Sequence, residues 1–581
     1  MLKSKFLSLL TQMLKRLLTA SPLLGLLAGA AWLPNASADV FIKADSAMEH
    51  AEFRGQWANN THYSWFEFPS EGRSKLEVWG YTDATSYAPG DTVNLHVSTT
   101  ADRYDLTVTR DGAAEEVVLE KKRLTGKLHP TPKDAYRVGP GWPVAHSIAI
   151  PATWKSGGYI VTFKVTGENG QSIEQEAFFI LRPKVPRQAA IAFVAATTTW
   201  QAYNDWGGSN FYEGVSGESR AQFSPEISTL RPWARGLIRV RGGAPRIVLS
   251  DEVPIGTAPR YPNLEYAYSR GYSKYYAAAG WAMFDALFAR WAERNGYTLD
   301  YYAQDDLGRN PGLLKHYKTV VVVGHDEYHT RDERTAIDDY IEAGGRLARF
   351  AGNLIWQARR EGDTLICYKS RAATEDPVRD DPENKDLLTS VWEDQAVNWP
   401  PQQTWGVSGT RGIYMKMGGF QPRASGGYTV YRPQHWALAG TDLYYGDLLG
   451  AKSNIAGFEG DGVDYTFRYG LPYATGEDGA PEDLTIIAMA LAGQEEEDHG
   501  NFDTYLYAGD ADLAFTSVAI YGKDTPENRD KLRYGSGMMV NMRKGQGEVF
   551  SASTTDWVVG LQDRDPFVER ITRNVLDRYS K

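Results

Sequence analysis

Between Val40 and Leu181 the apolar positions fall in short runs. Leu76 to Tyr81, Thr92 to Ser98, Tyr104 to Thr109, Glu116 to Glu120, His146 to Ile150 and Tyr159 to Val165 alternate or are continuously apolar. Pro89-Gly90-Asp91, Asp111-Gly112 and Gly157-Gly158 supply the turns between them. Six strands without helical periodicity predict an immunoglobulin-like β-sandwich over residues 39–184. Arg182-Pro183-Lys184-Val185-Pro186 reads as a linker, because proline offers no ladder donor and stiffens the backbone.

Past the linker the period changes. Ile191 to Thr199 reads as a buried strand, Trp281, Phe284, Leu287, Phe288 and Trp291 as one helix face, and Leu299 to Ala303 as a strand. Thr319 to Val323 is a β-branched run suited to a strand covered on both faces. Thr330 and Glu333 form a capping box for a helix with Ala336, Ile337, Tyr340 and Ile341 on its apolar stripe. Gly344-Gly345 ends that helix, and Arg346 to Phe350 returns as the next strand. Gly547 to Ser551 reads as the final strand, before a helix with Phe567, Ile571 and Val575 on one face. The chain is thus predicted to be multidomain α+β: the sandwich, then an α/β domain over residues 185–581 with a mostly parallel sheet. Residues 361–541, rich in Gly, Asp, Tyr and Trp, read as long insertions at one edge of that sheet.

The first 38 residues change this picture. They hold Lys3, Lys5, Lys15 and Arg16 but no acid, then an apolar run from Leu17 to Trp32 and the small residues Ala36-Ser37-Ala38, which together predict a cleaved export signal. The expected location is periplasmic or secreted, with no stable membrane span after cleavage. The whole chain carries a net charge of −11, and the body without the segment is more acidic still. Such a body lacks the basic footprint of a nucleic-acid binder. Cys367 is the single cysteine, so no intramolecular disulfide forms. The 17 Trp, 34 Tyr and 21 Phe suit both core packing and pockets for small molecules or sugars.

Ligands of open α/β sheets bind beyond the carboxyl ends of the strands. Gly324-His325-Asp326-Glu327-Tyr328-His329 falls there, as does Gly352-Asn353 on the neighbouring strand. These polar side chains either serve chemistry or cap and solvate the strand end. His325 and His329 would share a metal only if their segment were helical, and the helix starts later, at Thr330. Glu459 is a remote acid in an apolar, glycine-flanked turn. No G-x-S-x-G elbow, phosphate-binding P-loop or H-E-x-x-H zinc helix occurs.

Four separated motifs carry a resemblance: Thr199 to Gly208, Gly324 to Tyr328, Ala343-Gly344-Gly345 with Gly352-Asn353, and Thr554-Thr555-Asp556-Trp557. In this order they resemble the large (beta) subunit family of N,N-dimethylformamidase. The resemblance implies an α/β domain similar to class I glutamine amidotransferase domains and one iron, Fe³⁺, held by two tyrosines and a glutamate. It also implies a small partner subunit; a homo-oligomer is the other expected assembly. Carried over, the metal ligands are Tyr328, Glu459 and, by spacing, Tyr368. A histidine near the ligand glutamate assists catalysis in the family, whereas Gly457 and Phe458 precede Glu459 here. Iron can hold a phenol as phenolate and polarise an amide carbonyl, with Glu327, Asp556 or His325 handling protons.

The expected activity is iron-dependent hydrolysis of a small alkylated amide by an exported enzyme. Two other classes compete: a noncatalytic carbohydrate or cell-wall binding protein, and a glycosidase with paired carboxylates about 5 or 9 Å apart. The export signal makes one expectation directly testable. N-terminal sequencing of protein from the native host should start at Asp39, and recovery of Met1 would remove the periplasmic or secreted assignment.

Overall fold

The computed structural model describes residues 52–54, 57–58, 62–63, 66–214, 223–240, 267, 270–412, 426–456, 458–493 and 510–581. The proposed signal segment, residues 1–38, lies outside them. The described residues all fall within one compact unit, Lys43–Lys581. Among them, no helix is long and apolar enough to cross a membrane.

The N-terminal region is β-rich. A three-stranded antiparallel sheet (Val144–Ala149, Thr92–Thr99, Val78–Thr82) shares a core with a five-stranded sheet (Ser86–Tyr87, Ser172–Leu181, Gly157–Thr166, Arg103–Asp111, Glu115–Thr125). Period-2 alternation sorts the side chains. Tyr159, Val161, Phe163, Ala177, Phe179 and Leu181 fill the core between the two sheets, while Ile160, Phe178 and Ile180 point the other way. The outward set is buried too, in a cluster that continues into the α/β body: the Phe178 ring lies 5.0 Å from that of Trp281 and 5.6 Å from that of Trp200. Burial on both faces explains why Ala177 to Leu181 is continuously apolar.

The body is built on a nine-stranded sheet among the described residues. Its strands are β1 (Ile191–Ala195), β2 (Leu299–Ala303), β3 (Thr319–His325), β4 (Arg346–Gly352), β5 (Tyr428–Val430), β6 (Leu448–Leu449), β7 (Thr485–Gly493), β8 (Tyr534–Lys544) and β9 (Gly547–Ser551). They lie side by side as β2-β1-β3-β4-β9-β8-β7-β5-β6. The first five are parallel, and every later pairing is antiparallel. The mixed α+β class is as expected, but the sheet is half parallel and half antiparallel where a mostly parallel one was expected. A two-residue turn, Gly545-Gln546, joins β8 to β9, and so short a connection permits only antiparallel pairing. Four of the nine strands come from residues 361–541 and just beyond, where weak periodicity conceals them.

Two local expectations also change. The strand read over Ile191 to Thr199 ends at Ala195, and helix α1 (Thr197–Tyr203) follows. Its threonine hydroxyls bond to neighbouring chain instead of extending a ladder: Thr197 Oγ1 accepts from the Gln304 N–H at 3.0 Å. The helix read from Trp281 begins as a π-helical turn, Trp281–Asp285, before becoming α-helical over Ala286–Arg294. The capping box forms as expected on α2 (Arg331–Glu342): Glu333 Oε2 accepts from the Thr330 N–H at 2.9 Å, and the four stripe residues are buried.

In the parallel half the chain moves from β1 to one side for β2 and then to the other for β3, so the strand order reverses between β1 and β3. That reversal opens a crevice at their carboxyl ends.

Residues 39–184 expressed alone should unfold cooperatively on their own inter-sheet core, yet bind a hydrophobic dye that the full chain excludes, because Phe178 and Ile180 lose their cover. A fragment without a cooperative transition would show that the β-rich region has no separable core.

Candidate functional site

Three strand ends converge on the crevice. Gly324, at φ +72°, turns β3 so that His325 to Tyr328 cross the opening; a Cβ there would lie 2.4 Å from Phe284 Cβ. Gly352, at the end of β4, lets three backbones meet: its Cβ would fall 2.9 Å from the Glu459 carbonyl oxygen and 2.6 Å from the Thr555 nitrogen. Thr199 of α1 anchors the crossing segment by accepting from the backbone N–H groups of Glu327 and Tyr328, at 2.9 and 3.1 Å.

Glu327 is at the centre and almost wholly buried. Its Oε2 accepts from the Tyr203 hydroxyl at 2.7 Å, the Tyr212 hydroxyl reaches both oxygens at 2.8 and 2.7 Å, and Trp356 Nε1 donates to Oε1 at 2.7 Å. The Tyr328 hydroxyl donates in turn to the Tyr212 oxygen at 2.9 Å. His325 Nε2 lies 3.3 Å from Glu327 Oε2 and 2.7 Å from Glu459 Oε2. On its other side the ring bonds to the Ala278 carbonyl through Nδ1, and Asn353 Nδ2 lies 3.1 Å from Nε2.

The electrostatics follow from burial of unlike charges. Burial alone would lower the His325 pKa, but the charges of Glu459 and Glu327 outweigh it and raise it to about 10, so the ring is an imidazolium. Burial likewise opposes ionisation of Glu327; the hydrogen bond and charge from His325, with the Lys369 ammonium and the Tyr212 hydroxyl, hold it below the usual carboxylate range. Glu459 goes the other way, to about 7, because burial and the charges of Glu327 and Asp556 exceed what His325 returns. Tyr203, Tyr212 and Tyr328 are pushed well above 10 by burial and then by Glu327, and remain protonated donors.

Of the residues expected from sequence, the structure thus brings together His325, Glu327, Tyr328 and Glu459. Asp556 is buried beside them in the turn after β9, near enough for its charge to bear on Glu459. Tyr368 is placed elsewhere. It packs with Ile366, Ala372, Leu388, Trp392 and Val397, and the carboxylates bearing on it are Glu226, Asp376 and Glu375. The phenol beside Tyr328 is Tyr212. Gly457 lies outside the described residues, but a histidine does stand against Glu459: His325, from a different strand. His329 turns away, to Asp326 at 3.0 Å and Gln304 at 2.9 Å, so the two histidines do not share a centre. Cys367 is buried and its thiol is pushed up to about 12, which removes it as a nucleophile. Sequence reading missed Tyr203, Tyr212 and Trp356. Tyr203 stood within a quoted motif, whereas Tyr212 is in an aperiodic loop that gives no signal.

A second buried layer holds the crevice together. Arg349 Nη1 bonds Asp461 Oδ2 at 2.6 Å and the Ala351 carbonyl at 2.9 Å, and its Nε lies 3.5 Å from Asp326 Oδ2. Asp461 Oδ1 accepts from the Leu354 N–H at 2.9 Å. One guanidinium thereby ties β4, the segment after β3 and the Glu459 to Asp461 turn.

A family model described as N,N-dimethylformamidase beta subunit-like, C-terminal, matches residues 103–571. The N,N-dimethylformamidase beta subunit of Paracoccus aminophilus is 23% identical over 478 residues, covering 76% of this chain and 54% of that protein. That of an Alcaligenes species is 24% identical over 322 residues, covering 50% of this chain and 36% of that protein. The matches therefore span about a third to a half of these relatives' length.

Replacing Arg349 by Met should destabilise the protein by about 3–5 kcal/mol, because Asp461 and Asp326 are left buried without their cation. Arg349→Met combined with Asp461→Leu should recover part of that loss in chemical denaturation; equal or greater destabilisation of the double variant would count against the ionic tie.

Proposed function

The chain belongs to the N,N-dimethylformamidase beta subunit-like family, and on that premise we propose that it hydrolyses the C–N bond of a small linear amide. The observation that carries this reading is the pair Glu327 and Glu459, which share the His325 imidazolium while their protonation is pushed in opposite directions. Of two carboxyl groups separated in this way, the one held ionised, Glu327, is suited to base work, and Glu459 is left for a different role. Their near-complete burial favours a small substrate over a sugar chain.

Phenol and carboxylate oxygens are hard donors, so the cluster fits the iron implied by the family. The phenol oxygens of Tyr212 and Tyr328 lie beside Glu327, 2.9 Å from each other. Glu459 Oε2 is buried without an aligned hydrogen-bond donor, although His325 stands at ion-pair distance. Tyr328 and Glu459 would hold the ion, with Tyr212 in the place first given to Tyr368. When bound, trivalent iron would polarise an amide carbonyl and acidify a water. The chain's own residues do the rest. Glu327, held ionised by His325 and gripped by Tyr203 and Trp356, orients the water, takes its proton and returns it to the departing amine. His325 keeps both carboxylates in place. The aromatic walls exclude bulk water.

The same reading carries three further proposals: export after Ala38, assembly with a partner subunit as the relatives' description as beta subunits suggests, and an immunoglobulin-like fold for the β-rich region beside an amidotransferase-like sheet.

Protein produced with iron should release amine from N-alkylated formamides and acetamides and show a visible phenolate-to-iron band. Tyr328→Phe should weaken or shift the band, and Glu327→Gln should lower kcat by about 10²–10⁴ with the fold intact. Well-folded protein that cleaves no small amide when supplied with iron, zinc or manganese would sink this function.

A further inference from the structure

Lys369 sits on the solvent side of the site in a position that no sequence motif marks. Its ammonium lies 3.6 Å from the centre of the Tyr212 ring, 4.9 Å from that of Trp356, and 5.9 Å from those of Tyr328 and Phe223. Four aromatic faces within about 6 Å of one cation make a cation–π box, the arrangement that recognises alkylated ammonium groups. The box is wired to the reacting end of the site. Tyr212 and Trp356 donate directly to Glu327, and Tyr328 donates to Tyr212, so three of the four rings are polarised toward the same carboxylate.

The backbone shows that this placement is imposed. Lys369 has φ +56°, a left-handed conformation that costs a side-chain-bearing residue of order 1 kcal/mol or more. It is held there by its own N–H donating to the Thr389 carbonyl at 2.9 Å and by the Tyr368 N–H donating to Thr389 Oγ1 at 2.9 Å. Lys369 is half-buried, while Tyr328, Trp356 and Glu327 behind it are buried. An internal cation thus stands between solvent and the carboxylate, over rings suited to a different cation.

We propose that the Tyr212, Trp356, Tyr328 and Phe223 box is the subsite for the amine half of the substrate, and that Lys369 is its built-in competitor. The inference rests on the amide-hydrolysis reading, since an amide cleaved here yields an amine that becomes an alkylammonium ion. The ion finds in one place the aromatic faces and the carboxylate that suit it. Lys369 occupies the box between turnovers and is displaced by the alkylated nitrogen. This favours N-alkylated amides over primary ones, whose unsubstituted nitrogen offers the rings no methyl groups to pack on.

The test is direct binding. Lys369→Met keeps most of the side-chain length and removes the charge, so the box loses its internal cation. Calorimetric titration with dimethylammonium and with tetramethylammonium chloride should give at least about tenfold tighter binding to this variant than to the wild type. Adding Trp356→Leu or Tyr212→Leu to it should abolish the gain, with circular dichroism confirming the fold. Absence of any gain in folded Lys369→Met, or a gain that survives both ring deletions, would overturn the subsite. The two readings fail differently. Ammonium binding without cleavage of any amide would leave the box standing and remove the hydrolase; cleavage without ammonium binding would do the reverse.

Discussion

The Arg349 guanidinium has no exposed surface, yet it reaches Asp461, Asp326 and the Ala351 carbonyl. A cation buried this deeply is tolerated only where anions and carbonyls replace its hydration. Those partners belong to three separate segments, which together form the walls of the crevice. The position of Glu459, more than a hundred residues beyond His325 in sequence, follows from this tie: Asp461 is held two residues away, and Gly352 leaves the space into which the turn fits. Backbone hydrogen bonds reinforce the tie: the Asp461 N–H donates to the Ser553 carbonyl at 2.9 Å and the Thr555 N–H to the Glu459 carbonyl at 3.0 Å.

Above that layer the same economy governs the reacting groups. Glu327 is taken out of water but receives hydrogen bonds from two phenols and an indole, and the imidazolium of His325 stands against it. The second carboxylate, Glu459, shares that imidazolium but lacks the donors, so burial dominates its behaviour and raises its pKa. The contrast between two acids on one histidine comes from what else bears on each: Lys369 and the Tyr212 hydroxyl favour the charge on Glu327, whereas the charges of Glu327 and Asp556 oppose it on Glu459. Lys369 adds a further positive charge through the ring faces, at the boundary with solvent.

The β-rich region takes part in this architecture by covering the α/β body with its outer face. Phe178 and Ile180 alternate with residues of the inter-sheet core along one strand, so a single strand contributes to two cores. The π-helical turn at Trp281–Asp285 places the Trp281 ring against Phe178 and Phe284 beside Gly324. π-helical turns of this kind recur at functional sites. Packing at the seam and the turn that starts the site segment are therefore mechanically connected.

Local pattern was enough to place Leu299 to Ala303, Gly547 to Ser551 and the capped helix after Thr330, because their periodicity and caps are short-range properties of the chain. It also marked His325, Glu327 and Tyr328 at a strand end and Glu459 in a glycine-flanked turn, whereas Asp556 was marked by the family resemblance. It could not show the antiparallel half of the sheet, where strands such as Tyr428–Val430 are too short to carry a period. Nor did it find Tyr212. Spacing along the chain favoured Tyr368, but a phenol becomes a partner of Tyr328 by distance in space, and the loop carrying Tyr212 is brought there by packing against residues far away in sequence. Which residues exist was written in the chain; which of them share one buried carboxylate was decided by the tertiary structure, because burial and charge pairing depend on three-dimensional separation alone.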